Sequence, residues 1–158
     1  MNPSPILARS LLTLTSLIII TFCAPLAGAF SPPGDWYASL VKPEWNPPGW
    51  IFGPVWTVLY LTMAVAAWLV WKRDGWCCAL WIYLAQLLLN AAWTPIFFGA
   101  HQLSWALIEI VALWLAIVLT VLAFLRVSKT AGWMLVPYLM WVSFAAVLNC
   151  TLWWMNAG

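Results

Sequence analysis

Polar and charged residues punctuate this chain at long intervals, and the stretches between them are apolar and of nearly uniform length. A helix that crosses a bilayer needs about 20 mostly apolar residues. Residues 11–30, 51–71, 75–99, 103–125 and 131–155 meet that requirement. The first run, Leu11 to Phe30, carries no charge, and the second stops at Lys72-Arg73-Asp74. The third has Pro95 near its end. The fourth carries Glu109 and stops at Arg126, and the fifth is interrupted only by Pro137. Continuous runs of this kind exclude outer-membrane strands, which alternate over about ten residues. The pattern predicts an all-α membrane protein, a five-transmembrane-helix bundle forming one domain over residues 1–158. Residues 31–50 become the loop between the first and second spans.

Composition sharpens this reading. Of 158 residues, 66% are hydrophobic, with only six Lys/Arg and four Asp/Glu, and the mean hydropathy is +0.96. So few charges cannot cover the surface of a soluble domain of this size, so the solvent is lipid. A net charge of +2 is too small and too scattered for a nucleic-acid footprint, so no nucleic-acid partner is expected. Cys23, Cys77, Cys78 and Cys150 show no Cys-x-x-Cys spacing and lie in or beside apolar runs, where cysteine acts as a small hydrophobe. No metal site follows from them. Arg9, an apolar stretch and Ala27-Gly28-Ala29 also imitate a secretory signal, whose removal would leave four spans. The apolar stretch exceeds the usual signal core of about 7–15 residues, which favours retention.

With five spans, Arg9, Lys72, Arg73, Arg126 and Lys129 fall on one side of the membrane and Lys42 on the other. The positive-inside bias then puts the N-terminus in the cytoplasm. The 31–50 loop, the turn at His101 and the C-terminus share the opposite face.

That loop is the most distinctive segment. From Trp36 to Trp56 it carries Trp36, Tyr37, Trp45 and Trp50 interleaved with Pro43, Pro47, Pro48 and Pro54. Prolines fix φ and leave little freedom to lose, which suits a rigid aromatic lid. A connector whose indoles sit at headgroup level fits equally well. Residues three and four apart share a helix face. Trp133, Pro137, Trp141, Ala145 and Asn149 line one stripe; Tyr83, Gln86, Asn90, Trp93 and Phe97 line a second. His101, Trp105 and Glu109 share another, as do Trp56, Tyr60, Met63 and Ala67. Amides in hydrocarbon are costly, so Gln86, Asn90 and Asn149 point into the bundle, either to neighbouring helices or to a cavity. Fifteen tryptophans exceed the needs of interfacial belts. Several indoles converging under the loop would form a slot for a planar apolar ligand, whereas plain helix packing would use the same residues.

Three segments carry a family likeness: the Trp36–Trp56 loop, the run Gln86-Leu-Leu-Leu-Asn90-Ala-Ala-Trp93-Thr-Pro95-Ile-Phe-Phe-Gly99, and Pro137-Tyr138-Leu-Met-Trp141. Together they resemble the translocator protein family, also called tryptophan-rich sensory proteins or peripheral benzodiazepine receptors. The resemblance spans nearly the whole chain in order. It implies a five-helix bundle, commonly a homodimer in membrane lipid, with a ligand cavity capped by the first loop. It implies ligands such as protoporphyrin IX or another planar hydrophobic molecule, with no obligatory cofactor. By position, the ligand-binding residues it implies are Tyr37, Trp56, Gln86, Asn90, Trp93, Trp105, Trp141, Ala145 and Leu148. Trp56 and Trp141 would stack on the porphyrin, and Tyr37, Gln86 and Asn90 would anchor its polar groups.

The animal cholesterol motif needs a tyrosine followed by a basic residue, but this chain has Cys150 and then Trp153-Trp154 there. That favours porphyrin over sterol and a bacterial member in the cell envelope, the inner membrane first, with the mitochondrial outer membrane as the alternative. The resemblance thus implies a tetrapyrrole receptor, carrier or sensor in porphyrin homeostasis and stress. Light- and oxygen-dependent porphyrin breakdown and sterol translocation are the alternatives. Against enzymatic activity, the chain offers no acid/base pair and no nucleophile–base constellation. One histidine, His101, gives no basis for axial ligation of iron.

Overall fold

The computed structural model describes residues 5–26, 31 and 33–157. Within them lie seven α-helices: α1 Pro5–Cys23, α2 Asp35–Ser39, α3 Phe52–Asp74, α4 Cys78–Thr94, α5 Leu103–Val127, α6 Lys129–Met134 and α7 Val136–Met155. A 3-10 turn, Gly49–Ile51, leads into α3, and a π-helical turn, Pro95–Gly99, closes α4. Five helical stretches are long and apolar enough to cross a membrane, at 6–23, 49–74, 78–99, 103–127 and 129–155. The protein is a five-helix membrane bundle, and no strand occurs among the described residues.

The first span begins earlier than hydropathy suggests, at Ile6 rather than Leu11, and its helix stops at Cys23. Residues 27–30 of the expected run, Ala27-Gly28-Ala29 and Phe30, lie outside the described residues. The fifth run is broken as well. Pro137 has no N–H to continue the ladder, and the chain leaves regular helix at Leu135 (φ −86°, ψ −12°) before α7 starts. Trp133 therefore faces outward at 67% exposure and does not continue the stripe of Trp141. Pro95 acts similarly on α4. Beyond it the helix widens, and Ala100 N–H donates to the Pro95 carbonyl at 2.8 Å, a five-residue span.

Ends are set by local chemistry. Gly75 takes φ 66°, which glycine tolerates without cost, and its N–H returns to the Trp71 carbonyl at 2.8 Å. Lys72 and Arg73 occupy the last turn of α3, where positive charge suits the helix dipole. The Lys72 ammonium lies 4.6 Å above the Trp68 ring.

In lipid, helices gain no hydrophobic drive to associate, so close packing and polar contacts must hold them. α3 packs on α1, α4 on α5, and α7 on α5, while short α6 wedges against both α5 and α3. Ala64, Ala66 and Ala67 are fully buried along α3 and let neighbours approach. Gly132 brings α6 onto α5, where a Cβ would lie 2.9 Å from the Leu125 backbone nitrogen. Side-chain bonds tie the rest. Trp68 Nε1 donates to the Ser10 carbonyl at 3.1 Å, Trp114 Nε1 to Ser143 Oγ at 2.8 Å, and Thr21 pairs with the Tyr83 hydroxyl.

Candidate functional site

The upper ends of α3, α4, α5 and α7 splay around a cavity of about 430 Å3. Its walls are largely aromatic because α3, the end of α4 and α7 each present rings there, while α5 contributes Ile110 and Leu113. Trp56 comes from the first turns of α3, Trp93 from the end of α4, Phe97 and Phe98 from the π-turn, and Trp141 from α7. The rings brace one another. Trp56 stacks on Tyr60 with centroids 5.3 Å apart, Trp93 stacks on Phe97 at 4.8 Å, and Trp141 meets Phe52 edge-on at 5.8 Å. Such contacts fix rotamers, so the chamber is shaped in advance.

The 31–50 loop forms the roof through Pro33, Tyr37, Asn46, Pro47 and Gly49. Its prolines hold it extended, as at Pro48 (φ −62°, ψ 140°). Tyr37 packs on Phe97 and Phe98 and donates from its hydroxyl to Asn46 Oδ1 at 3.2 Å. Burial pushes the Tyr37 phenol above its usual pKa, and the Asn46 bond offsets part of that shift. The phenol therefore stays neutral. Trp36 stacks on His101, centroids 4.2 Å apart and planes within 11°. Midway along the roof segment, Asn156 at the end of α7 grips the backbone of Val41: the Val41 N–H donates to Oδ1 at 2.9 Å, and Nδ2 donates to the Val41 carbonyl at 3.0 Å.

The floor is a polar chain. The Tyr60 hydroxyl donates to Asn90 Oδ1 at 2.7 Å, Asn90 Nδ2 to the Tyr138 oxygen at 3.1 Å, and the Tyr138 hydroxyl to Gln86 Oε1 at 3.0 Å. Each donor meets one acceptor in turn across α3, α4 and α7. Each link supplies a buried polar group with a partner in a setting where an unpaired one is costly.

Of the residues expected from sequence, Tyr37, Trp56, Asn90, Trp93, Trp141, Ala145 and Leu148 line the cavity. Two do not. Gln86 is buried at the far end of this polar chain, its carbonyl accepting from Tyr138, and does not line the chamber. Trp105 is 63% exposed on the outer surface of α5. The inward row of α5 runs through Ala106, Ile110, Leu113 and Ile117, and Trp105 precedes that row by one position, about 100° around the helix. Glu109, on the same helix, does not line the cavity either, and its carboxyl oxygens are buried without a hydrogen-bond partner.

Asn149 lines the cavity, yet the sequence reading did not place it among the ligand-binding residues. Its position four residues beyond Ala145 on the Trp141 stripe was the available signal. Trp141 also borders a shallower apolar groove between α3 and α7, formed with Val55, Leu59, Pro137, Met140 and Phe144. Its ring thus stands between the internal chamber and the lipid-facing side. Among the described residues no cluster of His, Cys, Asp and Glu could hold a metal ion.

These features define a five-helix integral membrane protein with an internal aromatic chamber under a proline-rich roof. The model of the TspO/MBR family matches residues 13–155, and the chain belongs to that family. It is 45% identical over 155 residues to the tryptophan-rich protein TspO of Chlorobaculum tepidum, covering 94% of this chain and 98% of that one. It is 44% identical over 128 residues to the translocator protein of Homo sapiens, covering 78% and 76%. Protein CrtK of Rhodobacter capsulatus is 39% identical over 140 residues, covering 86% and 88%.

Proposed function

We propose that this protein binds tetrapyrroles of the protoporphyrin IX type within the membrane, as a receptor, carrier or sensor. The observation that carries the reading is the chamber of about 430 Å3 bounded by Trp56, Trp93 and Trp141 and closed by Tyr37 and its loop. The volume falls within the range of about 300–1,000 Å3 usual for small-molecule sites. Flat indole walls favour a flat π-system, gained through stacking and burial. The basic residues Arg9, Lys72, Arg73, Arg126 and Lys129 lie at the end of the bundle away from the roof, which supports a cytoplasmic N-terminus and a chamber facing outward. A bacterial inner membrane and a homodimer complete the proposal, on family resemblance.

Titration of the purified protein with protoporphyrin IX, followed by tryptophan quenching, tests the reading. Saturable quenching that weakens in Trp56→Phe and Trp141→Phe is the expected result. Affinity unchanged in both variants would remove the chamber as the porphyrin site.

A further inference from the structure

The wall of the chamber contains polar groups that the protein itself leaves without partners. Asn149 is 1% exposed, and neither its Nδ2 nor its Oδ1 has a hydrogen-bond partner among the described residues. The indole N–H groups of Trp93 and Trp141 are in the same condition. All three residues line the one cavity. The remaining amides and phenols of the wall are occupied: Tyr37 with Asn46, and Tyr60 with Asn90, which in turn bonds Tyr138. A buried amide with both ends unpaired is expensive in a helix bundle, where lipid offers no substitute. Neighbouring helices could have satisfied it, as they satisfy Asn90.

We infer that Asn149 is the polar anchor of the chamber and that it receives a carboxylic acid group of the ligand. The inference rests on the reading of the chamber as a ligand site and specifies which group that ligand must present. An amide with donor and acceptor side by side is complemented by a group offering acceptor and donor in the same plane, and a neutral carboxylic acid does so. Among the fully buried, unpartnered polar atoms of the wall, the donors, Asn149 Nδ2 and two indoles, outnumber the acceptor, Asn149 Oδ1, which favours an acceptor-rich ligand head. No Lys or Arg lines the cavity. An ionised carboxylate would enter without a countercharge, and the low dielectric favours the neutral acid. Asn149 offers a donor and an acceptor that are both free, whereas Asn90 already bonds Tyr60 and Tyr138, and Gln86 does not line the cavity.

Three macrocycles of similar size separate stacking from head-group recognition: protoporphyrin IX, its dimethyl ester, and etioporphyrin, which carries only alkyl groups. The parent protein and Asn149→Leu, which keeps the branched side-chain skeleton and deletes both polar atoms, are titrated with each by tryptophan quenching. Asn149→Leu is expected to lose about tenfold in affinity for the free acid, less for the ester, and nothing for etioporphyrin. Without ligand, the variant should melt no lower than the parent, because it removes an unpaired polar group rather than a bond. Equal losses for all three macrocycles, or none, would overturn the assignment while leaving the chamber as a porphyrin site. A lowered melting temperature of the ligand-free variant would instead make Asn149 a structural residue and would also overturn it. Absence of saturable binding of any macrocycle by the parent protein would remove both the assignment and the reading beneath it.

Discussion

Tyr138 illustrates how one side chain can decide whether a membrane core holds. Its hydroxyl accepts from Asn90 and donates to Gln86, so both amides depend on one oxygen atom. Tyr138→Phe keeps the ring and its edge contact with Trp56 but strands a donor and an acceptor in a buried layer. Leaving such groups unmade costs about 1–3 kcal/mol in proteins generally, whereas interhelical bonds in membranes average about 0.6 kcal/mol and reach about 1.7. The variant should therefore lose about 1–2 kcal/mol, read as a lower thermal midpoint in detergent, because two groups are orphaned rather than one. Trp105 gives the opposite case. Its ring lies on the outside of α5, so Trp105→Leu should leave porphyrin quenching of the other indoles at the same midpoint. A weakened titration would mean that this residue reaches the ligand after all.

At the level of whole helices, the hydropathy of the chain located the spans but said little about which way each one turns. Apart from Ser104, Glu109, Thr120 and Arg126, α5 is apolar between Leu103 and Val127, and a helix without a continuous polar face carries little phase in its sequence. His101, Trp105 and Glu109 were legible as neighbours by spacing, but the inward direction is set by Ala106, Ile110 and Leu113, which look no more buried than Leu115 or Leu119. α4 was more legible, since Gln86 and Asn90 had to face inward. Their division between cavity wall and buried core was not, because it depends on Tyr138 reaching across from α7. The break at Leu135 follows from Pro137, while the tight seam of α6 on α5 depends on a neighbour that spacing cannot name. That seam is testable through Gly132. Alanine there would gain about 1 kcal/mol in helix propensity. Its Cβ would sit 2.9 Å from the Leu125 backbone nitrogen, as well as against the Leu125 side chain, and overpacking of this kind costs about 1–3 kcal/mol. The backbone contact cannot relax by a rotamer change, so the clash wins. Gly132→Ala should lower the thermal midpoint in detergent, and an unchanged or raised midpoint would show that the two helices can move apart freely.

For the molecule as a whole, ligand access depends on how the roof is fastened to the bundle. The 31–50 loop is held at one end by the stacking of Trp36 on His101 and over the chamber by Tyr37 against Phe97 and Phe98. At the middle of the loop the fastening is polar: Asn156 binds both backbone groups of Val41 and also donates to the Leu152 carbonyl at 2.8 Å. That site is exposed and outside the apolar core, so its loss should barely affect the bundle, which is held by the buried contacts of α3, α4, α5 and α7. Asn156→Ala removes two loop-to-helix bonds worth about 0.5–1.5 kcal/mol each. The closed roof should then lose about five- to 150-fold in population against open forms, since two such bonds total about 1–3 kcal/mol and 1.4 kcal/mol is a factor of ten. Closed and open roofs differ in their contact with a bound molecule, so the dissociation rate of protoporphyrin IX should rise while the melting temperature of the ligand-free protein stays where it was. Stopped-flow recovery of tryptophan emission measures the first and a thermal melt the second. An unchanged dissociation rate would mean that the ligand leaves without lifting this part of the roof. The apolar groove beside Trp141, between α3 and α7, would then be the exit to examine by the same kinetics in Trp141→Phe.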